Sequence, residues 1–362
     1  MKNSSPFRLV IAVAILTAAT CGTRAEVMVG DKAPKLQTGK WVQGEPVRVF
    51  DGNHVYIVEF WATWCGPCVQ SIPHLNALWQ KFKNKGVIVI GQDVWDSDNA
   101  VAPFVKKMGT NMTYRVALDD KGWYHHEGFM AEHWWKRGTN YHGIPTAFIV
   151  NQQGRIAWIG HPMTLKEQVL DDIVSGHYDL AKATVEYRKD READQQFQAL
   201  QKKLVSALDQ KKWDDAETAL DSIQSAFPHF KNSFIGPRLK ILLGRKQFAE
   251  AFQFADEFSK SHSTNDIWQN ELAWTIATSE SPDQHCLELA ETMAERGVQL
   301  TDEKNTALLD TLARVQFRLG KKEEAMATEG KAVNLESNPK EKVSLEKTLA
   351  SYREGKLPQL EE

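Results

Sequence analysis

One stretch constrains the fold of this chain more than any other. Val55-Tyr-Ile-Val-Glu-Phe-Trp61, apolar almost throughout, runs on through Ala62-Thr-Trp64 into Cys65-Gly66-Pro67-Cys68. A short, continuous apolar run of this kind predicts a strand covered on both faces. Beyond it, Ile72, Leu75, Leu78 and Phe82 recur at helical spacing, so Val69 to Phe82 is predicted to be an amphipathic helix. The two cysteines therefore lie where a buried strand hands over to a helix. Pro67 suits that place, because its missing N–H would have no partner in a first helical turn.

Two cysteines two residues apart can exchange disulfides, hold a metal or bridge structurally. A structural zinc site needs four ligands, commonly two such pairs. No second pair occurs here, and the histidines between Gly122 and His142 are irregularly spaced. Val69 after Cys68 removes the Cys-x-x-Cys-His pattern of covalent haem attachment. The flanks favour exchange. At a helix N-terminus Cys65 meets unpaired N–H groups and the positive end of the helix dipole, both of which stabilise a thiolate. Cys68, one turn in, is more covered. That order makes Cys65 the attacking sulfur and Cys68 the resolving one. Cys286 sits among apolar neighbours in Cys286-Leu-Glu-Leu-Ala290 and is expected to be a buried, inert thiol.

The region around the motif alternates between strand-like and helix-like segments. Val87–Ile90, Tyr114–Leu118, Ala147–Val150 and Ile156–Ile159 read as strands, the last two flanking the turn Asn151-Gln-Gln-Gly154. Val101–Met108 and Leu165–Val174 read as helices. This pattern predicts an α/β domain with a mixed sheet over residues 26–178. Between Gly122 and His142 lies an aromatic, His-rich segment with no clear period. It is expected to be a long loop, with Trp134, Trp135 and Tyr141 touching a partner or forming a self-packed lid.

After residue 179 the strand signals stop, and residues 179–362 read as helices joined by short turns. Leu208, Trp213, Ala216 and Leu220 recur as Leu243, Phe248, Ala251 and Ala255, and more loosely as Leu319, Lys322, Ala325 and Ala332. These units resemble tetratricopeptide repeats, which implies an all-α repeat domain that docks a protein partner.

At the start of the chain, Lys2 and Arg8 precede the apolar run Leu9–Ala19, and Thr23-Arg24-Ala25 follows. The run is too short for a bilayer core, which needs about 20 helical residues. Residues 1–25 are therefore expected to be a secretory signal, with lipid attachment at Cys21 as the lesser alternative. Few cysteines in an exported chain argue against a disulfide-stapled scaffold. A net charge of −3 without a basic stripe gives no support for a nucleic-acid surface.

Phe60-Trp-Ala-Thr-Trp-Cys-Gly-Pro-Cys68 resembles the active site of thioredoxin-like proteins, specifically the exported TlpA/ResA-like disulfide oxidoreductases. Two further features share the resemblance. Pro73 matches the proline that kinks the active-site helix. Gly143-Ile144-Pro145-Thr146, directly before a strand, matches the cis-proline loop that lies against the disulfide. The resemblance implies that Pro145 is cis, that Ile144 and Thr146 support it, and that Trp64, Gly66 and Pro67 frame the cysteines. It also implies that Glu59, a carboxylate inside the strand, is a proton shuttle beneath Cys68, its pKa raised by burial. The implied protein is a periplasmic or envelope oxidoreductase acting on protein disulfides. Its electrons come from a membrane donor, and it needs no cofactor besides the Cys65–Cys68 disulfide. Reduction is the expected direction, with oxidation, isomerisation or a scaffold role as alternatives. A peroxiredoxin-type peroxidase is disfavoured, since no Pro-x-x-x-Thr-x-x-Cys arrangement precedes Cys65.

Overall fold

The computed structural model describes residues 26–122, 128–139 and 143–359. The expected signal segment, Cys21, Trp123, Tyr124, His125, His126, Tyr141 and His142 lie outside them. The chain divides into two compact units, Met1–Glu192 and Ala193–Glu362.

In the first unit six strands form one mixed sheet. They are β1 (Thr38–Gln43), β2 (Val55–Trp61), β3 (Val87–Asp93), β4 (Arg115–Asp119), β5 (Thr146–Val150) and β6 (Ile156–Gly160). The spatial order is β1-β4-β3-β2-β5-β6, parallel across β2–β3–β4 and antiparallel elsewhere. β2 holds the centre and every one of its residues is buried. Alternation along it divides two cores. Val55, Ile57 and Trp61 pack with Ile72, Leu75 and Phe82 of helix α1 (Gly66–Phe82) and with Leu170 and Ile173 of helix α4 (Glu167–Ser175). Tyr56, Val58 and Phe60 face the other way, toward Trp134 and Phe148. Glu59 has the parity of the first set, so it points to the side of α1.

Two elements differ from the sequence expectation. β1 was not foreseen: this strand at the sheet edge reads Thr-Gly-Lys-Trp-Val-Gln, is only half-buried, and its pairing with β4 is irregular, so it lacks the clean alternation that marks a strand. The aromatic segment, expected as a loop, is partly helical. Phe129 and Met130 lead into a wide π-turn, Ala131–Trp135, and then α3 (Lys136–Thr139). Its N-terminus is capped from a distance. Asp119, at the end of β4, accepts the N–H groups of Met130 and Ala131 at 2.8 Å each. A Cβ at Gly128 would collide with that carboxylate.

The other helices of the first unit are α2 (Asp98–Met108) and the start of α5 (Leu180–Asp209), whose Leu180, Ala183 and Tyr187 pack on the Phe60 side of the sheet. The second unit is helical throughout its described residues. It comprises α6 (Trp213–Ala226), α7 (Ile235–Gly244), α8 (Phe248–Ser261), α9 (Asp266–Thr278), α10 (Gln284–Leu300), α11 (Thr306–Arg318), α12 (Lys322–Leu335) and α13 (Pro339–Arg353). The residues that recur in the sequence occupy equivalent places. Trp213, Phe248 and Lys322 each open a helix. Ala216, Ala251 and Ala325 are fully buried one turn later. Two residues before each helix the backbone is left-handed, at Lys211, Lys246 and Gly320. Cys286 is buried and free, as expected. No helix among the described residues is long and apolar enough to cross a membrane.

Candidate active site

The site forms at the carboxyl end of β2, where the central strand stops and α1 begins. Cys65 and Cys68 are joined in a disulfide with an S–S distance of 2.07 Å and Cα atoms 5.2 Å apart. Cys65 is the N-cap of α1, and the N–H of Cys68 donates to its sulfur at 3.2 Å. A helix N-terminus has unpaired donors, and here one of them is aimed at the sulfur that would carry negative charge after reduction. Cys65 retains 5% exposure and Cys68 none. Gly66 and Pro67 are exposed beside them, and Pro73 sits inside the helix on its exposed face.

A second loop approaches from β5. The Ile144–Pro145 bond is cis, and the carbonyl oxygen of Ile144 lies 3.6 Å from Cys65 Sγ. Pro145 is buried and Ile144 half-buried. The loop is fixed at Gly143, whose carbonyl accepts from Thr146 Oγ1 at 2.9 Å and from Trp135 Nε1 at 3.0 Å.

Beneath the helix, Glu59 is completely buried. Tyr114 Oη donates to its Oε2 at 2.8 Å. Ser71 Oγ lies 3.4 Å from its Oε1 and donates to the Cys68 carbonyl at 2.9 Å. Burial raises the Glu59 pKa to about 7, and the Tyr114 and Ser71 hydroxyls hold it from rising further. The structure thus brings Glu59, Cys65, Cys68, Ile144 and Pro145 together.

Several residues of the site were not singled out from sequence. Ser71 and Tyr114 are ordinary residues made relevant by position: Ser71 is one turn after Cys68, and Tyr114 precedes β4 on the same face as α1. The loop after β3 supplies more. Asp96 accepts from Thr63 twice, from the N–H at 2.5 Å and from Oγ1 at 2.8 Å, and its own N–H donates to Asp93 at 3.1 Å. Asp93 is buried, which together with Asp96 raises its pKa to about 8. Trp64 is 65% exposed, whereas Trp134 and Trp135 are buried. Of the two expectations for these tryptophans, partner contact and self-packing, the second matches: they pack inside the unit, the indole N–H of Trp134 donating to the Lys35 carbonyl.

Residues 29–159 match the AhpC/TSA family. The chain is 31% identical over 168 residues to the thiol-disulfide oxidoreductase ResA of Bacillus anthracis, across 43% of this chain and 86% of that protein. It is 30% identical over 156 residues to Protein FixW of Rhizobium leguminosarum, across 41% of this chain and 67% of that one. Among solved structures it is similar to a putative protein disulfide isomerase from Bacteroides thetaiotaomicron, at 25% identity and a TM-score of 0.35, covering 42% of this chain and 93% of that one. It is also similar to a putative thiol:disulfide interchange protein DsbE from Chlorobium tepidum, at 25% identity and a TM-score of 0.33, covering 41% and 99%.

Proposed function

Because the chain belongs to the thiol-disulfide oxidoreductase family that includes ResA, we propose that it reduces disulfides in exported proteins of the cell envelope, with Cys65 as nucleophile and Cys68 as resolving thiol. The observation that carries this reading is the asymmetry of the pair. Cys65 keeps 5% exposure, and its sulfur accepts a helix N–H and faces the cis-proline loop, while Cys68 is fully buried and tied through Ser71 to the buried Glu59.

In the reduced protein, the Cys65 thiolate attacks one sulfur of a substrate disulfide. That S–S bond breaks, the departing sulfur leaves as a thiolate and takes up a proton, and a mixed disulfide holds the substrate. Cys68 then gives its proton to ionised Glu59 and attacks Cys65 Sγ. The second substrate sulfur leaves and is protonated in turn. Two electrons have passed to the substrate, and the protein is left with the Cys65–Cys68 bond. The pair itself carries those electrons, so the reaction needs no other cofactor. Restoring the dithiol requires two electrons from a membrane-borne donor. A Glu59 pKa of about 7 suits the shuttle, since both protonation states are populated near neutral pH. Pro145 and Ile144 would present backbone groups to an extended substrate segment. Export rests on the N-terminal pattern Lys2–Ala25. The repeated helix pairs of the second unit support a docking role for a protein partner.

The test is to express Cys68→Ser and recover proteins held on Cys65 by disulfides from the envelope fraction. Envelope proteins released by reductant support the reading; no captured protein overturns it. The potential of the pair fixes the direction. A value near the thioredoxin level of about −270 mV supports a reductant, and one near about −120 mV makes the protein an oxidase.

A further inference from the structure

Trp64, immediately before the nucleophile, is the most exposed aromatic side chain of the site. It is also held in place. Trp95, from the loop between β3 and α2, stacks against it with centroids 6.0 Å apart and planes 24° apart. Trp135 meets Trp95 edge-on at 4.9 Å and 87°, and its indole N–H is bonded to Gly143 of the cis-proline loop. Three indoles therefore run from the residue before Cys65 to the loop that faces its sulfur. The backbone under Trp64 is fixed by the same loop: Asp96, next to Trp95, takes both donors of Thr63, next to Trp64. Lys121 in turn donates to the Asp96 carbonyl at 2.9 Å. Two adjacent residues of one loop thus grip two adjacent residues of the other.

We propose that Trp95 makes Trp64 one face of a two-ring aromatic shelf that receives an aromatic or large aliphatic side chain flanking the target cysteine of the substrate protein. The inference rests on the oxidoreductase reading above and adds the substrate chemistry. The occupant follows from continuity with the reacting sulfur and from charge. Ala62–Pro67 and Gly143–Thr146 contain no ionisable side chain besides the cysteines, so these two segments offer a substrate apolar area and backbone groups rather than charge. Fixed aromatic rings also lose little entropy when a ligand lands on them, which concentrates binding energy there. Trp95 is thus a specificity-determining residue, and Asp96 is a positioning residue that acts through Thr63.

The test uses the oxidised full chain and redox-inert peptides in which serine replaces each cysteine. Two peptides differ only at the position beside the former cysteine, Trp in one and Asp in the other, and their Kd values are measured by calorimetry. The Trp peptide binds about tenfold tighter, the ratio expected of one aromatic contact. In Trp95→Ala the ratio falls to near one. In Trp95→Phe, which keeps a ring and guards against a folding defect, it stays above half its value. Equal affinity for the two peptides, or a ratio that survives Trp95→Ala, overturns the shelf. Reduction of hydroxyethyl disulfide by the wild-type protein, supplied with a dithiol, tests the chemistry separately because that molecule has no side chain to lodge. Failure there overturns the oxidoreductase reading, and the Kd ratio still decides the shelf.

Discussion

Cys65 caps α1 in the sheet unit, and Cys286 lies in the first turn of α10 in the helical unit. Both are cysteines at helix starts. At Cys65 the sulfur itself accepts a helix N–H, from Cys68. At Cys286 the capping position belongs to Asp283, whose carboxylate takes the Cys286 N–H at 2.9 Å. Burial, reinforced by that carboxylate, pushes the Cys286 thiol up to about 12. Buried carboxyls repeat the contrast. Glu59 has hydroxyl donors and a pKa of about 7. Glu329 of α12 has Asp310, another carboxyl, as its neighbour, and burial with that neighbour raises it to about 9. A helix start or a buried acid is therefore not a reactive group in itself. What counts is whether the donors around it serve its charged form.

The sharpest break of this comparison would come from the thiols. Cys65→Ser is expected to take disulfide reduction to background, while Cys286→Ser leaves kcat/KM within a factor of two. A comparable loss from both, followed with a fluorescent disulfide peptide, would put Cys286 into the chemistry.

The acids come next. Glu59→Gln is expected to slow resolution of the mixed disulfide about a hundredfold and to remove a pH step near 7. Glu329→Gln leaves both untouched and acts on stability. A carboxyl whose pKa is raised by folding binds its proton more tightly in the native state, so stability is full below about 4.5 and declines as pH rises toward about 9. Thermal melts from pH 5 to 9 should show a decline that flattens in Glu329→Gln. An unchanged slope would mean that Glu329 ionises freely.

A smaller effect is expected at Asp96. Replacing it by Ala removes two hydrogen bonds to Thr63 and costs about 2 kcal/mol in chemical denaturation of the sheet unit. Smallest is Lys246→Gly, which relieves a left-handed lysine before α8 and stabilises the helical unit by about 0.5–1 kcal/mol. No gain there would mean that the lysine side chain offsets its backbone strain.

What was legible in the sequence follows from where the determining contacts lie. β2 was read with its observed limits because a strand covered on both faces carries its signal in its own residues. The cysteine pair and Glu59 were legible for the same reason, the latter as a charge inside an apolar run. Ser71 and Tyr114 were not, since their part depends on which residues the sheet register and the second turn of α1 bring beside Glu59. The helix at Ala131–Trp135 was missed because its cap, Asp119, sits at the end of another strand. Whether Trp135 touches a partner or packs inward was left open by the sequence, because the groups that decide it, Trp95 and Gly143, come from other loops.

The alternation along β2 has a consequence for how this chain tolerates changes of length. One residue inserted between Tyr56 and Glu59 would leave the strand as apolar as before and still able to pair. It would nevertheless turn the carboxylate toward Trp134 and Phe148, with Tyr114 and Ser71 stranded on the opposite side of the sheet. Two inserted residues would restore the facing. The proton transfer proposed for Glu59 thus depends on the odd or even count of a strand, and an insertion that spares the fold would be expected to abolish it.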